Sequence, residues 1–460
     1  MSSAGKYEID MCKGPLLWKM LLFVFPLFCT YALQSLFNAA DMAIIGRFGS
    51  SEALAAIGAT LNPITLFLKL AIGLSTGTNV VVAYHIGARN DLKSRQSVHT
   101  AMSMALYGGV ILMIGAILAT RPILTMMNTP ENLLKDSCTY MRIYFLGMPF
   151  LVAFNFGCAI LRAKGDARRP LYFLLFAGVL NILLNILFVV CFRMSVEGVA
   201  LATTISNTLA AVLVLRALLL SADVCHLSMR HLRMHWDIAR AILIVGVPAA
   251  VNSSFFNLSN MVIQSAINTF GTFAIAGCAA CVTIESLVTL SSTAFQQTVT
   301  PFTAQNFGAG LYTRVVRCCL LGPGLSAGTG LLLGWIICAF GERALGIFNS
   351  DPQVIYWGMC RMKMMLLPYF LGAAMDAIVG CLRGIGHPVI PSVCSLVGAC
   401  FFRIAWVFLA FPHMGSMSSL FLCYPISWLM VSAISGFFLY VYLKRIFREE
   451  LRKDRIFMFP

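Results

Sequence analysis

Acid is scarce in this chain. Among 460 residues there are 18 aspartates and glutamates against 33 lysines and arginines, and charge of either sign makes up only 11% of the composition. Apolar residues make up 59%, and the mean hydropathy is +0.84. No soluble domain of this size needs so much apolar surface, and repeated apolar runs of about 20 residues mark a bundle of membrane-spanning helices. Segments of about ten residues with alternating polarity are missing too, which excludes a membrane barrel. The first apolar run is too long for a signal peptide and lacks a small-residue cleavage site, so it is expected to remain as the first span. Metal-type patterns are thin. The 16 cysteines are scattered through apolar runs, and Cys278-Ala-Ala-Cys281 sits mid-span without neighbouring ligands. The stretch with Cys225, His226, His231 and His235 has faint metal-ligand spacing but reads better as a basic amphipathic connector, with Trp236 at the membrane interface. Glycine-rich turns near Gly87 and Gly308 follow no strand, so they are not nucleotide loops. No nucleophile–base arrangement stands out, so no enzymatic activity and no cofactor is expected.

What is present is a series of twelve apolar runs. The predicted spans are 16–45, 52–85, 97–119, 133–160, 171–192, 196–220, 238–269, 273–307, 315–340, 354–382, 389–411 and 417–443. The net charge of +15 is then a matter of topology rather than of nucleic-acid binding. The N-terminus, the even-to-odd loops and the tail, with the span ends beside them, hold 23 of the 33 basic residues. The opposite loops, with the span end at Lys135, hold Arg47, Arg121, Lys135, Arg193 and Arg343, and Lys69, Arg142, Arg361, Lys363 and Arg403 fall deeper within spans. This asymmetry predicts both termini in the cytoplasm.

The chain also repeats itself. Phe48-Gly49 recurs as Phe270-Gly271, Ile86-Gly87-Ala88 as Phe307-Gly308-Ala309, and Leu161-Arg162 as Leu382-Arg383; Pro170 recurs as Pro391 and Pro26 as Pro248. These echoes keep one order and a shift of 221 or 222 residues. An even number of spans per copy gives parallel repeats about an axis along the membrane normal, the architecture of an alternating-access transporter. The expected fold is therefore an all-α membrane protein of two parallel six-helix bundles with a V-shaped central cleft. The N-lobe is expected at 1–220, a cytoplasmic connector at 221–236, and the C-lobe with the tail at 237–460.

Apart from Glu52, Asp136 and Glu197, which fall in the first four residues of their spans, only three acidic residues, Asp41, Glu285 and Asp376, lie inside predicted spans. A carboxylate in hydrocarbon is costly and usually faces a cavity or pathway. It can exchange protons, hold a sodium ion, or bind an organic cation, which suits antiport in which ion and cargo compete for one negative site. Glu285 and Asp376 can equally be structural partners of Arg361, Lys363 or Arg403. In span 5, Asn181 and Asn185 are four apart and share a helix face, with Thr203 and Thr204 on span 6. Their amides and hydroxyls can ligate sodium, or can serve as interhelical hydrogen bonds. Tyr31, Gln34, Asn38, Asn260, Gln264 and Gln296 are further candidates for the cleft lining. Met-rich surfaces adapt to varied cargo, and the 24 methionines leave room for that.

The sequence resembles the multidrug and toxic compound extrusion (MATE) transporters over nearly its whole length, in the bacterial branch similar to DinF- and MepA-type proteins. The resemblance rests on FNAADMAIIGRFGSSEALAAIG (37–58), VVVAYHIGARN (80–90), AILRAKGDARRP (159–170), NILLNILFVV (181–190), GVALATTIS (198–206), TAQNFGAG (303–310) and MDAIVGCLRGIGHPVIP (375–391). It implies a V-shaped pair of six-helix lobes and antiport of organic cations against H⁺ or Na⁺, in a bacterial cytoplasmic membrane. Asp41 matches the family's first-span acid, Asn181 its span-5 asparagine and Thr203 its span-6 threonine. Asn185 falls where many members carry a second aspartate, which leaves this site one carboxylate among amides. Asp376 lies about one helical turn from the span-10 acid of NorM-like members, and Glu285 matches only loosely. The alternative within the wider superfamily is a flippase for lipid-linked saccharides or other precursors, which needs a strongly cationic cleft to hold pyrophosphate. The expected partners are small organic cations and the lipid bilayer, with no nucleic acid, and the protein is expected as a monomer.

Overall fold

A segment surrounded by hydrocarbon must satisfy its own backbone N–H and C=O groups, and an α-helix does so within one segment. The computed structural model describes residues 7–228, 230 and 232–456, and among these there is no strand. In chain order the helices are α1 Leu16–Phe48, α2 Ser51–Gly87, α3 Asp91–Met126, α4 Glu131–Leu146, α5 Met148–Lys164, α6 Arg168–Cys191, α7 Val196–Leu219 and α8 Trp236–Asn268. There follow α9 Thr272–Gly308, α10 Tyr312–Ala339, α11 Pro352–Leu366, α12 Tyr369–Gly384, α13 Val389–Met414 and α14 Met417–Ile446. Ten are long and apolar enough to cross a membrane singly. The other two crossings are bent pairs, α4 with α5 at 47° and α11 with α12 at 45°. The twelve expected crossings are therefore present, two of them broken.

The breaks fall at Gly147, two residues before Pro149, and at Leu367-Pro368, where each proline's missing N–H and crowded ring interrupt the helical ladder. At the first break Thr204 Oγ1 donates to the Ile143 carbonyl at 3.0 Å, satisfying an acceptor near the interrupted turn. A π-helical turn at Ile186–Cys191 lies within α6, and two more, Leu396–Phe401 and Trp406–Ala410, lie within α13.

Contacts divide the chain into two units, and each is continuous only in space. The first comprises residues 1–10 and 29–250, the second residues 11–28 and 251–460. These limits differ from the lobes expected at 1–220 and 237–460. The connector Ser221–His235 belongs to the first unit, and α1 and α8 each change unit partway along. They change at equivalent points, two residues beyond Pro26 and two beyond Pro248.

In the first unit, α2 and α8 meet through small residues. A Cβ at Gly73 would run into Ala250, one at Gly77 into the Ile242 carbonyl, and one at Gly246 into Leu74. Glycine there lets two membrane helices pack backbone to backbone. The connector is pinned by the Ser228 N–H, which donates to His99 Nε2 at 3.1 Å, and by Asp223, which pairs with Lys164. Lys164 also pairs with Glu8 at 2.6 Å. In the second unit, Arg314 and Asn306 donate to the carbonyls of Met11, Lys13 and Gly14, which fixes the segment leading into α1.

Candidate functional site

Asp41 reaches its partners because of how α1 lies on α6. Phe37 and Asp41 are four apart on α1, and Gly178, Asn181 and Asn185 recur at helical spacing on α6. A Cβ at Gly178 would overlap the Phe37 ring, so only glycine admits the ring there. That seat fixes the register and brings Asp41 opposite Asn185. Asn185 Nδ2 donates to Asp41 Oδ1 at 2.6 Å and to Asn181 Oδ1 at 3.3 Å. Asn181 Nδ2 donates to Thr203 Oγ1 at 3.4 Å, and Thr203 Oγ1 donates to the Val199 carbonyl at 3.0 Å. The four residues thus form one chain of hydrogen bonds running from α1 through α6 to α7.

Asn181 is 5% exposed, Asn185 is fully buried, and the Asn185 carbonyl oxygen Oδ1 has no partner. Asp41 opens onto a cavity of about 330 Å³ inside the first unit. Its lining includes Asn38, Thr65, Tyr140, Tyr144, Val199 and Thr203. The volume falls in the range of small-molecule pockets, which are mostly apolar with a few placed polar groups. Tyr140 and Tyr144 were not singled out from the sequence. Two aromatic hydroxyls four residues apart just before a proline break are the signal that points to them.

Asn38 lines the cavity one turn before Asp41, whereas Tyr31 and Gln34, earlier on α1, do not reach it. In the second unit Glu285 is 8% exposed and pairs with Arg361 at 3.0 Å, whose guanidinium stacks 5.0 Å from the Phe421 ring centre. Asp376 accepts from Ser292 Oγ at 2.8 Å. Exposed Asn260 accepts from Tyr424 Oη at 3.2 Å, and exposed Gln264 donates to Asn268 at 3.1 Å. Gln296 is half-buried on α9, and its carbonyl accepts from Thr300. Among the described residues no three of His, Cys, Asp and Glu gather as a metal site. His226 bonds its own turn at Ser221 and His235 bonds Thr100, while His231 lies outside the described residues.

Twelve helical crossings with a carboxylate opening onto a cavity define a multi-pass membrane protein, and the family it belongs to makes it a transporter and not an enzyme. The chain belongs to the MatE family, whose model matches it twice, at residues 26–187 and 248–409. It is similar to the probable multidrug resistance protein YoeA of Bacillus subtilis, 29% identical over 83% of this chain and 84% of the relative. It is also similar to a FAD transporter of Shewanella oneidensis, 28% identical over 70% of this chain and 72% of that one. Among solved structures, the crystal structure of the MATE P26A mutant superposes with a TM-score of 0.89 over 97% of this chain and 100% of its own, at 19% identity.

Proposed function

We propose that the protein is a secondary multidrug exporter of the bacterial cytoplasmic membrane, with both termini cytoplasmic, that exchanges H⁺ or Na⁺ for organic cations by alternating access. The observation that carries this reading is Asp41, which shares a hydrogen-bonded chain with Asn185, Asn181 and Thr203 and opens onto a cavity large enough for a small molecule. A proton on Asp41 removes its negative charge, and a sodium ion neutralises it. Sodium would find oxygen ligands in the Asp41 carboxylate, Asn181 and the unpartnered carbonyl of Asn185. Either ion weakens the hold on a cationic cargo, and cargo weakens the hold on the ion, as linkage requires. The multidrug names of relatives such as YoeA support the cargo class. Glu285 takes no part in the exchange, since Arg361 already neutralises it.

The flippase reading is less well supported. It needs several free cations converging on one site, and the Arg361 guanidinium is already committed to Glu285. The test is ethidium uptake into reconstituted vesicles under separately imposed Na⁺ and H⁺ gradients. One gradient accelerates uptake by the wild type, and Asp41→Asn falls to the level of protein-free vesicles with expression retained. Wild-type rates in Asp41→Asn would remove Asp41 from the mechanism.

A further inference from the structure

The second repeat carries the counterpart of the Asp41 site, and its charge is inverted. The offset between repeats is 221 residues at Pro170 and Pro391. The π-helical turn Leu396–Phe401 then adds one residue to α13 where α6 is plain α-helix, and the offset becomes 222. The two family matches end with that same offset, at 187 and 409. Arg403 therefore stands where Asn181 stands in the first repeat. At the same offset Asn260 stands for Asn38, and Ile263, a buried apolar residue, stands for Asp41. The carboxylate has gone, and a guanidinium has replaced an amide.

Arg403 is 2% exposed. Its Nε donates to Ser427 Oγ at 2.9 Å, and its guanidinium lies 4.2 Å from the Tyr424 ring centre and 5.5 Å from that of Phe256. Nη2 is buried without a partner, and among the described residues no carboxylate pairs with Arg403. The neighbouring cation, Arg361, is matched by Glu285, and Arg383 has Asp376 within electrostatic reach. Among the described residues Arg403 has neither a bridging carboxylate nor a partner for Nη2. Aromatic faces offset part of the cost of burying it, but they offer nothing to its remaining N–H groups. The exposed edge of the cluster is Asn260, hydrogen-bonded to Tyr424.

We propose that Arg403, Tyr424 and Asn260 form a second binding site that takes an anionic oxygen group of the cargo, a carboxylate or phosphate ester. The proposal rests on the transporter reading and adds to it a preference for cationic cargo that also carries such a group. Arg403 donates charge-assisted hydrogen bonds from its free guanidinium edge, and the aromatic rings face the apolar body beside that group.

Tetramethylrhodamine and its methyl ester test this, since they differ only in a free carboxylate. Their binding to the purified protein in detergent is read by fluorescence anisotropy. The wild type is expected to bind the acid about tenfold more tightly than the ester, the worth of a hydrogen bond to a charged group. Arg403→Met brings the ratio to about one and leaves ester affinity unchanged within about twofold. If Arg403→Met fails to fold, Asn260→Asp at the exposed edge serves instead, weakening the acid alone at unchanged thermal stability. Equal wild-type affinity for both dyes, or a ratio unmoved by either substitution, overturns the proposal. Displacement of the acid by an equal concentration of phosphatidylglycerol assigns the group to a lipid headgroup and also overturns it. Asp41→Asn leaves the ratio intact while abolishing coupled uptake, so failure of the ion-exchange reading is visible separately.

Discussion

Asp41 in the first unit and Glu285 in the second are held in opposite ways. In the first, Asp41 pairs with no cation among the described residues. It accepts from the Asn185 amide, and it faces a cavity. In the second, Glu285 is locked to Arg361 at 3.0 Å, under the Phe421 ring. An acid held by amides can trade its proton or counter-ion, because nothing fixed neutralises it. An acid held by a buried guanidinium cannot, because separating the pair leaves two uncompensated charges. On the proposed exchange, one duplicated helical scaffold carries a tradable charge in one copy and a fixed one in the other, and the partner decides which.

The largest effect that can break this contrast is on stability. Glu285→Gln strands Arg361 in the core and is expected to cost about 3–5 kcal/mol, measured by thermal unfolding in detergent. The double variant Glu285→Gln with Arg361→Gln recovers most of that loss and keeps gradient-driven uptake. A single variant as stable as wild type but uncoupled would make Glu285 a coupling residue and erase the difference between the units. The next effect sharpens the first-unit side. Asn185→Ala removes the 2.6 Å hydrogen bond to Asp41, and a bond to a charged group is worth about 1.5–3 kcal/mol. The apparent affinity for the coupling ion should shift by about tenfold or more, read from the ion dependence of ethidium uptake. An unchanged ion dependence would show the amide to be mere packing. The smallest effect concerns the cavity wall. Tyr144→Phe removes one hydroxyl and no ring, so dye affinity should change by no more than about 1.5 kcal/mol, with coupling intact. Loss of coupling there would place Tyr144 in the ion path instead of the cargo pocket.

Much of the fold was legible because hydropathy alone demands helices and the repeat fixes their number. The broken crossings were not. Spans 4 and 10 read as continuous apolar runs, and the bends at Gly147 and Leu367-Pro368 show only in backbone geometry. The exchange of helix ends between units was also invisible, since it depends on what residues 11–28 and 251–268 touch and not on their composition. At the site, the fourfold spacing of Asn181 and Asn185 announced a shared face, and the scarcity of in-span acids singled out Asp41. Phe37 on Gly178, which aligns them, is a steric fit that no spacing rule reveals. Three cations were open to Glu285 in the sequence, and only the folded chain selects Arg361, 76 residues away.

The central claim is that one carboxylate, Asp41, is shared between ion and cargo, and competition tests it most directly. Ethidium affinity of the purified protein is measured while Na⁺ and H⁺ are raised in turn. The account predicts that one of these ions raises the apparent Kd of the wild type in proportion to its concentration, and that Asp41→Asn loses this dependence. An ethidium Kd indifferent to both ions in the wild type, or an unchanged ion dependence in Asp41→Asn, would contradict it.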